Sequence, residues 1–191
     1  VADHVAQLTL NRPERLNALR AGALHEINAA MDQAEADADV RVIVVSGAGR
    51  AFSSGFDLKA QMEQKPKGDA VWRAILDLDF DTTMRFWNSP KPTIAAVHGA
   101  CLAGAFELAM ACDITIADED ATFGEPELKF GAGIVTLLLP WMTSPKQAKR
   151  IILSADDRIP AREALDMGLV SRVVALSDVI GSERASRRHT R

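Results

Sequence analysis

Tyrosine is absent from this chain, and aromatic residues make up only 5% of its 191 positions. Proteins that bind single-stranded nucleic acid stack bases on aromatic rings, so that class has little support here. Cysteine is scarce too: Cys101 and Cys112 are the only two, and both sit in apolar stretches. They are too few for a disulfide framework or a zinc site, and with the four histidines they form no metal-ligand pattern. Buried free thiols in a reducing compartment are expected, which suits a cytoplasmic protein. Strong charge of one sign is also missing. A net charge of −4 gives no general attraction to nucleic acid or to an anionic membrane. The opening ten residues are short and already alternate, unlike a secretory signal.

What is present is ordinary for a soluble domain. Apolar residues make up 48% and charged residues 25%, enough for one domain with a sizeable core. Residues 94–112 are apolar enough to raise the question of a membrane span. His98, Glu107 and repeated Ala-Gly steps interrupt the run, so a strand, a turn and a helix are expected instead.

The periodicity alternates between strand and helix. Val5–Leu10, residues 41–46, Thr93–Val97, residues 114–117 and residues 170–175 have strand patterns. Helical spacing runs through residues 21–38, with Leu24, Ile27, Met31 and Ala34 on one stripe. It recurs through residues 71–87, with Val71, Ile75, Leu78 and Thr82 on the stripe, and through residues 103–112. Two more helices start at Ser144-Pro145 and around Pro160, the second stopped by Gly168. Residues 61–70, with Lys65, Pro66, Lys67 and Gly68, predict a flexible surface loop. Strand–helix alternation defines an α/β architecture. From Ser182 onward the chain carries Arg184, Arg187, Arg188 and Arg191 and little apolar content, the pattern of a disordered terminus.

Two glutamates do not fit a merely structural account. Glu107 lies inside the apolar helix, and Glu127 closes Phe-Gly-Glu-Pro-Glu. A carboxylate withdrawn from water is costly unless paired or protonated, so proton transfer is the natural use of both. Two such groups close together would titrate as a pair with at least one pKa raised. Neighbouring Glu125 is expected at the surface or behind the reacting carboxylates. His98 is expected to be a satisfied strand-end residue, and His25 to lie on a helix surface.

Two turns add backbone donors. Gly49-Arg-Ala-Phe-Ser-Ser-Gly-Phe-Asp-Leu58 follows a strand and precedes a helix, with Asp57 a possible local cap. A second turn places Gly104 at a helix start, where its N–H lacks an intrahelical acceptor. Two such donors aimed at one oxygen make an oxyanion hole. Glu107 follows Gly104 by about one turn, on the same side of that helix.

These words together resemble a known family. Asn11-Arg-Pro-Glu-Arg-Leu-Asn-Ala-Leu19, Ala51-Phe-Ser-Ser-Gly-Phe-Asp-Leu58, Ala95-Ala-Val-His-Gly99, Ala103-Gly-Ala-Phe-Glu-Leu-Ala109, Cys112-Asp113, Phe123-Gly-Glu-Pro-Glu127 and Ala164-Leu-Asp-Met-Gly-Leu-Val170 look like the crotonase family. This is the enoyl-CoA hydratase/isomerase superfamily, and the order holds from about residue 5 to 175.

The resemblance implies a crotonase-like (ClpP/crotonase) α/β fold of stacked ββα turns with a helical C-terminal region. It implies an acyl-CoA-binding domain over residues 1–175 and a flexible or atypical tail over 176–191. It implies a lyase that adds water across the 2,3 double bond of an enoyl-CoA, with coenzyme A part of the substrate and no separate cofactor or metal. The alternatives are an enoyl-CoA isomerase, another crotonase-type lyase, or a non-catalytic acyl-CoA-binding subunit.

Carried over position by position, the catalytic glutamates fall on Glu107 and Glu127, and the oxyanion-hole amides on Phe56 and Gly104. Ala18, Ser54, Gly55, Asp57, Leu58 and Gly131 fall along the substrate. Arg15, Lys59 and Lys65 are candidates for the CoA phosphates. The partners implied are an acyl-CoA and sister subunits, in a homotrimer or a dimer of trimers, with no nucleic acid and no membrane.

Two departures stand out. Where the family has a glycine-rich stretch after the second glutamate, this chain has Ile134, Val135 and Leu137–Leu139, which implies a different wall for the acyl group. Family members also continue into further helices that cover the pocket and build the trimer, whereas the sequence here ends in the arginine-bearing tail.

Overall fold

A computed structural model of the chain describes residues 3–179. The chain enters through β1 (Val5–Leu10), a 3₁₀ turn at Pro13–Arg15, and helix α1 (Ala21–Ala36). β2 (Val42–Gly47), α2 (Leu58–Gln64) and α3 (Asp69–Trp87) follow. Then come β3 (Thr93–Val97), β4 (Ala100–Leu102), α4 (Gly104–Ala111), β5 (Ile114–Asp118) and β6 (Thr122–Gly124). A 3₁₀ turn at Glu127–Phe130 leads to α5 (Leu139–Met142), α6 (Pro145–Ser154), β7 (Ile159–Pro160), α7 (Ala161–Asp166) and β8 (Arg172–Val174).

The main sheet is parallel throughout, in the order β1-β2-β3-β5-β8. A smaller sheet carries β4 parallel to β6 and β6 antiparallel to β7. An isolated bridge between Ser53 and Cys101 extends this small layer toward the 51–56 loop. The chain therefore repeats one device. A main-sheet strand (β2, β3 or β5) turns into a short small-layer segment (Ser53, β4 or β6) and then into a helical element. These are the stacked ββα turns that the family resemblance implies.

The helices sit where their apolar stripes require. On α1 the predicted stripe of Leu24, Ile27, Met31 and Ala34 is buried. α4 is buried along its whole length because it lies between the main sheet and α3. On α3 the stripe differs from expectation. Val71 is 46% exposed, and the buried residues are Asp79, Thr82, Thr83 and Phe86. The buried residues of α3 all lie in its C-terminal half, where Arg85 pairs with Asp32 (2.6 Å) and Glu35 (2.8 Å) of α1.

The predicted loop over 61–70 is shorter than expected. Residues 61–64 complete α2, whose N-terminus Asp57 caps through Ala60 N–H (3.1 Å), and α3 starts at Asp69. β4, β6 and β7 were not expected as separate strands. At the other end, residues 176–179 are helical, and Val179 is buried against Val44 and Ala96. Ordered packing thus passes residue 175, while most of the expected tail, with its arginines, lies outside the described residues. Among the described residues no helix is long and apolar enough to cross a membrane.

Candidate active site

The site begins with a buried asparagine that the sequence reading passed over. Asn17, in left-handed backbone at φ 54°, donates its amide to the carbonyls of Ala48 (2.8 Å), Ala51 (2.8 Å) and Phe52 (3.1 Å). Its oxygen accepts from Arg12 N–H, and its own carbonyl accepts from the Ser53 hydroxyl. Asn tolerates this backbone better than most residues, which suits it to clip a loop of unpaired carbonyls. Its only signal in the sequence is an amide set among turn residues. The clip fixes the 51–56 segment.

That segment is pressed against the turn before α4. A Cβ at Gly55 would lie 2.7 Å from both Ala103 Cβ and Leu102 O, and one at Gly104 would run into the Phe56 ring. Only glycine allows the two backbones to come this close. Ala103 adopts φ 55°, ψ −136°, a conformation rare for any residue with a side chain. This twist turns β4 into α4. The Gly104 N–H is left outside the helical ladder, and the Phe56 N–H is unused by the Leu19–Phe56 bridge. Among the described residues neither amide has an acceptor. The two predicted donors, Phe56 and Gly104, are thus brought together.

The carboxylates converge one helical turn along. Glu107 has no exposed surface, and its Oε1 accepts from Thr136 N–H at 3.0 Å. Its Oε2 is buried and has no partner among the described residues. Glu127, half-buried at the head of its 3₁₀ turn, also has an unpartnered buried oxygen. The third member is Glu125, which is 1% exposed with neither oxygen reached by a donor. One oxygen from each of Glu107, Glu125 and Glu127 lies within 4.8 Å of the others. Of the two places expected for Glu125 the structure excludes the surface: it is buried with the other two carboxyls.

Burial pushes the Glu107 pKa up to about 8, with the charge of Glu127 adding to the shift and Thr136 N–H opposing it. Burial raises Glu127 as well, against a hydrogen bond from Glu125. Glu125 goes furthest, raised by burial, by the charges of Glu127 and Glu107, and by its hydrogen bond to Glu127. Three carboxyls sharing one buried volume cannot all ionise. Three carboxylate oxygens also form a donor set of the kind that hard cations take, a possibility that counting histidines and cysteines does not raise.

The remaining predicted residues divide between the site and its supports. Ala18 and Ser54 are half-buried, and Ser54 N–H bonds Leu16 O (2.9 Å). Asp57 caps α2 and pairs with Arg12 at 3.2 Å. Burial would raise its pKa, but Ala60 N–H and Arg12 lower it on balance. Leu58 is 43% exposed at the start of α2. Gly131 ends the Glu127–Phe130 turn at φ 68°. Arg15, Lys59 and Lys65 are exposed and make no ion pair among the described residues. His98 Nε2 bonds Gly49 O at 2.9 Å, and His25 is exposed on α1, both as expected. Cys101 and Cys112 are buried free thiols.

The 128–142 wall divides as well. Ile134 and Val135, with Gly133, face Leu76, Asp77 and Phe80 of α3 across a groove of ≈ 370 Å³. Leu138 and Leu139 enter the core instead, and Leu137 is 49% exposed. The wall residue Val135 directly precedes Thr136, whose N–H holds Glu107. A smaller hollow of ≈ 50 Å³ under α2, lined by Asp57 and the buried Asp79, does not include the glutamates. Burial raises Asp79 to about 7.

A parallel ββα stack with two free amides next to buried carboxyls defines the crotonase class. Comparison with known proteins agrees. The family model described as enoyl-CoA hydratase/isomerase matches residues 1–190. A probable enoyl-CoA hydratase of Bacillus subtilis is 43% identical over 90% of this chain and 66% of its own length. A mitochondrial Δ(3,5)-Δ(2,4)-dienoyl-CoA isomerase of Rattus norvegicus is 37% identical over 93% of this chain and 58% of its own. The crystal structure of an enoyl-CoA hydratase/isomerase from Xanthobacter autotrophicus Py2 superimposes with a TM-score of 0.94 at 63% identity. That match covers 98% of this chain and 70% of the other. The chain belongs to the enoyl-CoA hydratase/isomerase family. It spans about two thirds of the length of these curated relatives.

Proposed function

We propose that this protein hydrates an enoyl-CoA thioester. The observation that carries the reading is the meeting of Glu107 and Glu127 within 4.8 Å of each other, next to the turn that bears Gly104. The thioester oxygen lies between Phe56 N–H and Gly104 N–H. Polarisation there makes Cβ electrophilic. A carboxylate takes a proton from water as the water oxygen bonds to Cβ. The π electrons move onto the thioester oxygen, and the two amides hold the enolate. A carboxylic acid then gives its proton to Cα as the carbonyl re-forms. Net, one water is added, and one proton passes between the two carboxyls to restore the site. The raised pKa of Glu107 suits a pair that holds one acid and one base near neutral pH.

The test is loss of the conjugated absorbance of crotonyl-CoA. Glu107→Gln and Glu127→Gln should each lower kcat by about 10²–10⁴-fold. Undiminished turnover in either variant would remove that residue from the mechanism. A second reading, double-bond isomerisation, draws support from the likeness to the dienoyl-CoA isomerase. It predicts that absorbance appears with a β,γ-unsaturated thioester and that crotonyl-CoA is left untouched.

A further inference from the structure

Glu125 is the polar side chain that this mechanism leaves without a task. It is 1% exposed, yet no N–H or O–H donor among the described residues reaches either of its oxygens. Its own backbone is fixed. Glu125 N–H donates to Asp156 O at 2.9 Å, and Gly124 is packed so tightly on residues 156–157 that a Cβ there would strike the Asp156 carbonyl. The side chain therefore has a set direction, toward Glu127 and Glu107.

Among the described residues, the charged and titratable groups that face Glu125 include no cation. Glu127 comes from the following turn, Glu107 from α4 and the Cys101 thiol from β4. Behind them, Asp156 and Asp157 are engaged with Arg150, Lys129 and Arg158, facing outward. Cys101 offers no positive charge in either protonation state, and burial, then Glu125, push its thiol well above the ordinary range and keep it neutral. A buried carboxylate with no cation and no donor is untenable, whereas a carboxylic acid there has an acceptor at hand in Glu127.

We propose that Glu125 is a positioning residue of the hydration site: it stays protonated, and its O–H donates to the Glu127 carboxylate, keeping Glu127 ionised and aimed at the reacting water. The inference rests on the hydratase reading for its kinetic consequence but not for its protonation state. It also gives the two mechanistic glutamates different characters. Glu127 is the member that keeps its charge, and Glu107, whose Oε1 accepts from Thr136 N–H while Oε2 is buried, is the member that carries the exchangeable proton.

The experiment uses the full chain and two substitutions, with thermal unfolding to confirm that both fold. Glu125→Ala removes the donor and should lower kcat on crotonyl-CoA by about 10²-fold with a much smaller change in KM, the expected cost of misplacing a reacting group. Glu125→Gln restores an N–H donor at the same place and should recover at least about tenfold of that loss, since an aimed donor rather than a proton is what Glu127 requires. Infrared spectroscopy reads the proton directly. Glu107 loses its own at about 8. Above that pH the wild type should retain a buried carboxylic-acid C=O band that Glu125→Gln lacks.

Full activity in Glu125→Ala overturns the proposal, as does a wild-type spectrum with no such band. Turnover that requires added Mg²⁺ or Ca²⁺, with the requirement abolished in Glu125→Gln, also overturns it, because a cation would then balance the cluster. A wild type that turns over no enoyl thioester, yet shows a band that Glu125→Gln removes, overturns the hydratase reading and leaves the proton on Glu125.

Discussion

Ala103 N–H donates to the carbonyl of Gly124 at 2.8 Å. The bond joins the two halves of the site. On one side the next residue is Gly104, with its free amide. On the other the next is Glu125, followed by Glu127. The turn that bears Gly104 and the acid cluster are therefore tied directly, although 21 positions separate Ala103 from Gly124. A catalytic geometry that tolerates little displacement gains from such a direct tie.

The turn that receives this tie should be sensitive to a single methyl group. Gly55→Ala forces a side chain into φ 87° and against the Leu102 carbonyl and Ala103 Cβ, both 2.7 Å from the new atom. Because one neighbour is backbone, the 102–104 turn must give way. A loss of about 2–4 kcal/mol in urea unfolding is expected. Hydration should fall by about 10²–10³-fold, the usual effect of losing one oxyanion donor.

Glu107→Gln should cost activity and gain stability, and the gain should depend on pH. The folded pKa of Glu107, about 8, lies above the ordinary 4.5 because burial disfavours the charge. The folded state then binds more protons than the unfolded state between those values. Its stability from this group is fully present below about 4.5 and is lost as pH rises through about 8. Asp79, raised from 3.8 to about 7, adds in the same direction. Glutamine keeps the acceptor for Thr136 N–H and carries no charge to bury. The variant should match the wild type near pH 4 and exceed it near pH 8 by on the order of 3 kcal/mol. Thermal melts at the two pH values measure this, and equal offsets at both would contradict it.

Much of this arrangement was legible in the chain, for physical reasons. Val5–Leu10 and Thr93–Val97 have sharp strand patterns, and α1 has a four-residue stripe, so their positions follow from period alone. Glu107 stood out because a carboxylate in an apolar helix has no cheap explanation. β4, β6 and β7 were not legible because runs of two or three residues carry no period. Val71 misled because helical spacing shows which face is apolar but not how far along the helix that face is covered, and Val71 is 46% exposed. Glu125 stayed divided between the surface and a place behind the reacting carboxylates because its polarity suits the first, and only the fold, which buries it, decides for the second. Asn17 was passed over because three carbonyl partners, more than 30 residues away, appear only once the loop is folded.

That clip should carry a large share of local stability. Asn17→Ala leaves the carbonyls of Ala48, Ala51 and Phe52 without their common donor in a buried setting. It also places alanine at φ 54°. A loss of about 2–4 kcal/mol is expected by denaturant titration. The same loop carries Phe56, so KM for crotonyl-CoA should rise together with the fall in kcat. A variant that is destabilised but kinetically normal would separate the clip from the site.

The groove between α3 and residues 133–135 should set the acyl length. Its walls include Phe80, 44% exposed, and half-buried Ile134, and its wall residue Val135 precedes Thr136, whose N–H holds Glu107. An acyl chain whose Cα and Cβ lie at the glutamates would extend into this space. Phe80→Ala and Ile134→Ala both enlarge it without touching a hydrogen bond of the site. Apolar discrimination in such pockets is worth about 1–3 kcal/mol per methylene at most. The ratio of kcat/KM for octenoyl-CoA over crotonyl-CoA should therefore rise about tenfold in either variant, mainly through KM for the longer substrate. If the ratio stays fixed in both variants, the acyl chain leaves the site by another path, and the bulk of Ile134 and Val135 serves packing alone.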